Sequence, residues 1–392
     1  MLQVLIQILI LGSFLVIYPP LTEFFELPKV VVLVTLVPIM YVFYSVSITL
    51  KRSENRGISQ LYSRAPILVS LLFLFVFAAA FSSVLAGTKT SFWGQPYRYQ
   101  GIIFFLMLSG LSYLISKYQE LGISLDAVKR AIVWGAGIHV GLILMQGLAY
   151  IMGMSVYTFE GRMTGLVGNP NFAGGALALS YPYLFYRWQN NKLGLFMATL
   201  GGLIGVVLTD SRGGLIGFIL ALLLIWARKL RTSILVISAV LLTLGGAYFF
   251  PDRPLSSFDS RVTIWQKGWQ AFQKKPFFGW GVENFSTAFQ AQLEPSGDHD
   301  LKNIRVDKAH NEFLEMFVAT GVVGGGIYLV IVLWTLGILW KHRADEGIYA
   351  YLVSAVVFVT LAQVNVLNVT EYIFFYLAVG VAISLDKDRY ST

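Results

Sequence analysis

Residues 312–340 read EFLEMFVATGVVGGGIYLVIVLWTLGILW. After Glu315 no Asp, Glu, Lys or Arg occurs until Lys341. A bilayer core of about 30 Å is crossed by about 20 apolar residues in a helix rising about 1.5 Å per residue. This stretch meets that length with room to tilt. Helix is the expected form, because a lone segment in lipid must pair its own backbone polar groups. Working outward, runs of the same character recur at about 2–18, 28–50, 65–86, 101–116, 127–152, 171–187, 193–209, 213–227, 232–250, 347–367 and 371–385. The reading is an all-α integral membrane protein: one polytopic bundle of about 12 transmembrane helices occupying residues 1–392.

Composition agrees. The chain is 56% hydrophobic and 13% charged, with a mean hydropathy of +0.68, against about 45–50% and about 25% for soluble domains. There is no cysteine, which excludes disulfides, thiolate metal sites, iron–sulfur clusters and cysteine nucleophiles. The run Leu2 to Tyr18 lacks a basic start and ends at Pro19-Pro20, so it reads as a retained helix and not a signal peptide. No 20–50-residue repeat is visible. The net charge of +8 follows from basic residues that cap membrane helices. No nucleic-acid-binding pattern is present, and nucleic acid is not expected as a partner.

Orientation follows from the connections. With the N-terminus in the cytoplasm, loops 51–64, 117–130, 187–192, 228–231 and 341–346 and the C-terminal tail carry sixteen basic residues. The short outer connections carry Lys29, Lys89, Arg98, Arg162 and Arg212. That asymmetry predicts both termini inside. Residues 251–311 then form one large extracytoplasmic loop. Its aromatic content argues for structure. Val262, Trp265, Trp269 and Phe272 recur at helical spacing, and Phe285, Phe289 and Leu293 suggest a second short helix. Pro276 and Gly279-Trp280-Gly281 break the two. The expectation is a pair of short amphipathic helices against the outer membrane surface.

The informative polar residues fall on that outer face. Arg212, in Thr209-Asp210-Ser211-Arg212-Gly213-Gly214, lies between two apolar runs. An arginine there is costly, and its planar fork suits phosphate oxygens. Snorkelling to headgroups or pairing with Asp210 is the alternative. Arg261 opens the first loop helix, where unpaired N–H groups also favour an anion; pairing with Asp259 is its alternative. His310, in Lys308-Ala309-His310-Asn311-Glu312, is a candidate proton acceptor. Asp307 and Glu312 are near enough in sequence to orient it. Asp298-His299-Asp300 reads as a solvated turn and not a metal site. Gly168-Asn169-Pro170-Asn171 reads as a turn and helix start. His139 reads as a packed polar residue inside a span. No acidic residue lies deep in a span, which argues against an ion-coupled transporter.

At these residues the sequence resembles the O-antigen ligase and polymerase family of bacterial envelope glycosyltransferases. The matching pieces are GRMTGLVGNPNFAGG (161–175), TDSRGG (209–214), SRVTIWQKGWQAFQKKPFFGWGVENF (260–285) and AHNEFLEMFVATGVVG (309–324). The likeness runs over roughly residues 155–340. It implies a membrane glycosyltransferase of the type C kind, in the cytoplasmic (inner) membrane, with its site on the outer, periplasmic face. It implies an undecaprenyl-pyrophosphate-linked glycan as donor, a glycan, lipid or protein hydroxyl as acceptor, and no metal or cofactor. The family's functional residues correspond to Arg212, Arg261 and His310, with Asn311 beside them in the same motif. Arginines would neutralise the lipid pyrophosphate as it leaves, and His310 would take the acceptor proton. Inversion at the anomeric carbon is the expected outcome of direct displacement. A lipopolysaccharide ligase, a glycan polymerase and a protein O-oligosaccharyltransferase share these motifs. A non-enzymatic lipid-glycan flippase would instead need polar residues along several spans.

Overall fold

Ser124, Asn169, Asn191, Ser211, Asn311, Asp345 and Asn368 each stand one residue before a helix. The side-chain oxygen of each accepts a hydrogen bond from a backbone N–H two or three residues on. Short polar side chains do this because the first N–H groups of a helix lack intrahelical partners. At Asn368 the cap is reciprocal. Its N–H donates to the Glu371 carboxylate at 2.8 Å, and the Glu371 N–H donates back to its amide oxygen at 2.9 Å.

The computed structural model describes residues 1–19, 25–54, 67–228, 256–293 and 306–386. Fourteen helices lie among them: α1 (Leu2–Leu15), α2 (Glu26–Glu54), α3 (Ile67–Ala86), α4 (Thr90–Trp93), α5 (Ile102–Ser116), α6 (Leu125–Ile151), α7 (Pro170–Trp188), α8 (Lys192–Thr209), α9 (Arg212–Ala227), α10 (Ser256–Lys274), α11 (Phe285–Gln290), α12 (Glu312–Lys341), α13 (Glu346–Ala362) and α14 (Val369–Asp386). No strand occurs among the described residues beyond an isolated bridge between Phe159 and Arg162. A helix stands at eleven of the twelve expected segments; the remaining one, 232–250, lies outside the described residues.

Among the described residues, six helices are long and apolar enough to cross a membrane: α2, α3, α6, α8, α12 and α14. Helices α1, α5, α9 and α13 are apolar but shorter. Helix α7 belongs to neither group. It carries Asn171, Ser180, Pro182 and three tyrosines, and Phe172 through Leu184 are all buried. Its polarity is tolerated because it packs on α6, α8, α9 and α13, with little of it turned to the surroundings. Helix α14 is the axis of the bundle. Every residue from Val369 to Ile383 is buried, and α1, α2, α3, α5, α7, α12 and α13 all touch it. The periphery is the reverse. Helix α8 exposes Leu193, Phe196, Met197, Ile204 and Val207, and α3 exposes Phe73, Leu74, Phe77 and Val84. Apolar faces of that extent suit a lipid environment.

Two features shape the end of the bundle that carries α10 and α11. The first is a glycine contact. A Cβ at Gly214 of α9 would lie 2.7 Å from the Gly174 backbone of α7. Two glycines in register let these backbones approach and set the α8–α9 corner against the start of α7. The second is a break in α12. Gly321 has φ +64°, and a Cβ there would collide with the Phe277 carbonyl. Residues 276–281 run alongside and repair the ladder. Val322 N–H donates to the Pro276 carbonyl at 2.7 Å, Trp280 N–H to Val318 at 2.9 Å, and Gly281 N–H to Ala319 at 2.8 Å.

The expected helix pair in 251–311 is present as α10 and α11, with two differences. The buried face of α10 is Ile264, Gly268 and Ala271, flanked by Trp265 and Phe272, while Trp269 is exposed. The small residues let α10 close onto Phe285 and Leu314, which displaces the large aromatic stripe to one side. Helix α11 ends at Gln290, short of Leu293. Together with Val306, Ala309 and Val318, these elements form a small hydrophobic core of their own.

Candidate functional site

Helix α8 ends in Asp210, whose backbone is left-handed at φ +46°, a conformation Asp tolerates better than most residues. Ser211 then caps α9, its hydroxyl accepting the Gly214 N–H at 3.1 Å. Arg212 is therefore the first residue of α9. The Asp210 carboxylate lies 3.9 Å from Arg162, whose guanidinium also donates to the Thr209 and Asp210 carbonyls at 3.1 and 2.9 Å and to the Asn171 side chain at 2.9 Å. Arg162 thus ties the 161–175 motif to the corner that presents Arg212.

Arg261 is not at a helix start. Helix α10 begins at Ser256, so Arg261 stands in its second turn, and the anion site expected from unpaired N–H groups does not lie beside it. Burial, then the charge of Arg212, holds Arg261 below the usual arginine pKa. The two arginines, 49 positions apart in sequence, are near enough for the charge of one to act on the other.

His310 has φ +53°. A left-handed backbone at a residue other than glycine is uncommon and persists only where its surroundings impose it. Burial pushes the His310 imidazole down to about 4; Arg261 and Arg98 push the same way, and Asp307 opposes them. His310 is consequently neutral at physiological pH. Asp307 acts on it through charge. Its own hydrogen bond goes to Arg98, whose Nε donates at 2.8 Å. Burial works to raise the Asp307 carboxyl, but Arg98, Lys308 and His310 hold it below the ordinary carboxylate range. Glu312 is also engaged elsewhere, accepting the Tyr372 hydroxyl at 2.5 Å. The Asn311 amide oxygen caps α12 by accepting the Leu314 N–H at 3.0 Å.

The structure therefore gathers Arg212, Arg261, His310, Asn311, Asp307 and Glu312 at one end of the bundle, from segments spread over a hundred residues. It adds two arginines that motif reasoning passed over. Arg162 was inside a quoted motif. Arg98 follows α4, lies 5.7 Å from the Phe172 ring centroid and pairs with Asp307. Both were visible as basic residues on the face where such residues are scarce. Lys29, counted there too, is different: it is buried within α2 and pairs with Glu26 at 3.2 Å. His139 is buried with both ring nitrogens unpaired within the protein and lies 6.1 Å from Phe14, ring centroid to centroid. Asn169 caps α7 with Pro170 at its first turn, as the Gly168–Asn171 turn predicts. Asp298, His299 and Asp300 lie outside the described residues.

An arrangement of several arginines around a neutral histidine can bind a multiply charged anion and accept a proton beside it. Residues 195–329 match the family model described as O-antigen ligase. The General O-oligosaccharyltransferase of Acinetobacter baylyi (strain ATCC 33305 / BD413 / ADP1) is 30% identical over 132 residues, which is 33% of this chain and 22% of that protein. The chain thus spans about a fifth of the length of this curated relative. Arg212, Arg261 and His310 fall inside the family match; Arg98 and Arg162 precede it.

Proposed function

We propose that this chain, an O-antigen ligase family member through residues 195–329, transfers a glycan from an undecaprenyl-pyrophosphate carrier to an acceptor hydroxyl. The observation that carries the reading is the convergence of Arg212, Arg261 and His310, with their charges acting on one another. The acceptor oxygen attacks the anomeric carbon, and the bond from that carbon to the pyrophosphate oxygen breaks. His310 takes the acceptor proton. The arginines take up the negative charge that grows on the leaving pyrophosphate. Direct displacement inverts the anomeric centre. Holding two lipid-linked partners in one membrane plane lowers the orientational cost of the encounter.

The relative's name supports transfer of an oligosaccharide to oxygen. Ligation to a lipid acceptor, polymerisation onto a second carrier-linked glycan and transfer to a protein hydroxyl all use this chemistry, and ligation is the first reading here. The asymmetry of basic residues supports both termini in the cytoplasm and the site on the outer face. Ser296→Cys, in a chain with no other cysteine, tests that orientation. An impermeant maleimide should label it in intact spheroplasts, and labelling only after permeabilisation would reverse the topology.

The chemistry is tested with purified protein in nanodiscs, carrier-linked glycan and an acceptor lipid. His310→Ala should lower turnover by about 10²–10⁴-fold while donor binding persists. Unchanged turnover would remove His310 from the reaction. Loss of activity with a chelator, restored by a divalent ion, would replace the arginine-based account with a metal-assisted one.

A further inference from the structure

The backbone around His310 is anchored on every side. Lys308 ion-pairs with Glu283 and, at 3.6 Å, with Glu315. All three side chains are buried. The Ala309 N–H donates to the second Glu315 oxygen at 2.7 Å, and the Ala309 carbonyl accepts Trp265 Nε1–H at 2.9 Å. Asn311 is fixed as the cap of α12. Glu283 reaches further. Its carboxylate accepts the Gln95 N–H at 2.8 Å, and its carbonyl accepts Gln95 Nε2–H at 3.3 Å. Gln95 lies three residues before Arg98, which holds Asp307. Glu283 itself is left-handed at φ +62°. One buried carboxylate thus links the loop that carries Arg98 to the loop that carries His310. Burial works to lower the Lys308 pKa, but Glu283, Glu315 and Glu312 together, with the Glu283 hydrogen bond, raise it above its ordinary value, so the ammonium stays charged.

We propose that Glu283, acting through Lys308 and together with Glu315, is the positioning residue of His310: it holds the 307–311 backbone in the left-handed turn that aims the imidazole. The proposal rests on His310 as the proton acceptor of the transfer reaction. The reasoning is geometric. A single left-handed residue between anchored neighbours has little freedom to swing. A buried ammonium with a partner removed is an expensive defect that the loop relieves by moving. Misplacement by about 1 Å is enough to cost about 10²-fold in rate.

The test is a double-mutant cycle in nanodiscs, with turnover expressed per folded molecule and donor binding measured separately. Glu283→Ala should lower turnover by about 10- to 100-fold and leave donor binding within about twofold. Introduced into His310→Ala, the same change should lower turnover no further, since a residue that acts only by aiming the imidazole has nothing left to aim. An equal loss in both backgrounds would overturn the proposal, as would full turnover of Glu283→Ala with His310 present. Glu283→Gln keeps the shape and the acceptor for Gln95. It serves if the alanine variant does not accumulate, and its loss should also vanish in the His310→Ala background. If His310→Ala alone is fully active, the functional reading fails first, and this proposal falls with it.

Discussion

Around Lys308 cations meet carboxylates: Lys308 lies between Glu283 and Glu315, and Arg98 holds Asp307 at 2.8 Å. A few residues away cations meet one another. Arg261 is depressed by Arg212, and His310 by Arg261 and Arg98. Both corners stand at the same end of the bundle. The first spends its charges on internal pairs that fix a loop. The second brings like charges near one another, so that an anion placed among them would ease their repulsion.

After the loss expected for His310→Ala, the largest effect comes from removing the arginines of the second cluster. Arg212→Ala and Arg261→Ala should each cost about 10²–10³-fold in turnover, the range for removing one preorganised charge-stabilising donor. Lysine at either position should restore little, because it keeps the charge and loses the planar fork. Measured in nanodiscs, wild-type turnover in either alanine variant would erase the distinction between the two corners.

A smaller effect sharpens the comparison through pH. His310 must be neutral to accept a proton. Its pKa is lowered to about 4 by burial and by neighbouring arginines, so the active form persists well below pH 6.5 and is lost as pH falls through about 4. The acid limb of kcat/KM, which reports the free enzyme, should therefore lie near pH 4. A bound pyrophosphate offsets the arginine charges and raises the imidazole pKa, so the limb of kcat should lie at higher pH. Coincident limbs would mean that the anion does not sit among Arg212, Arg261 and His310.

How much of this was legible beforehand depends on the range of the interaction. Helices announced by long apolar runs, and the helix start at Gly168–Asn171, depend on neighbours in sequence and were readable. The three motif residues were readable as a resemblance. The Arg98–Asp307 and Lys308–Glu283 pairs join positions 209 and 25 apart, and nothing local to Arg98 names its partner. The start of α10 differs from the reading that opened it at Arg261: the helix runs on from Ser256. The α10 stripe was misread because aromatic size drew attention to Trp269. Close packing instead selected Gly268 and Ala271, which carry almost no side chain.

The break at Gly321 bears on how the protein is made. A helix entering lipid ordinarily satisfies its own backbone as it forms. Helix α12 cannot do so near Gly321, where its ladder is completed by the 276–281 backbone. That segment is synthesised first and must already be in place, or return, before the upper part of α12 is whole. A chain with residues 276–281 misplaced leaves peptide groups of α12 without these partners, a costly defect in a helix that lipid surrounds.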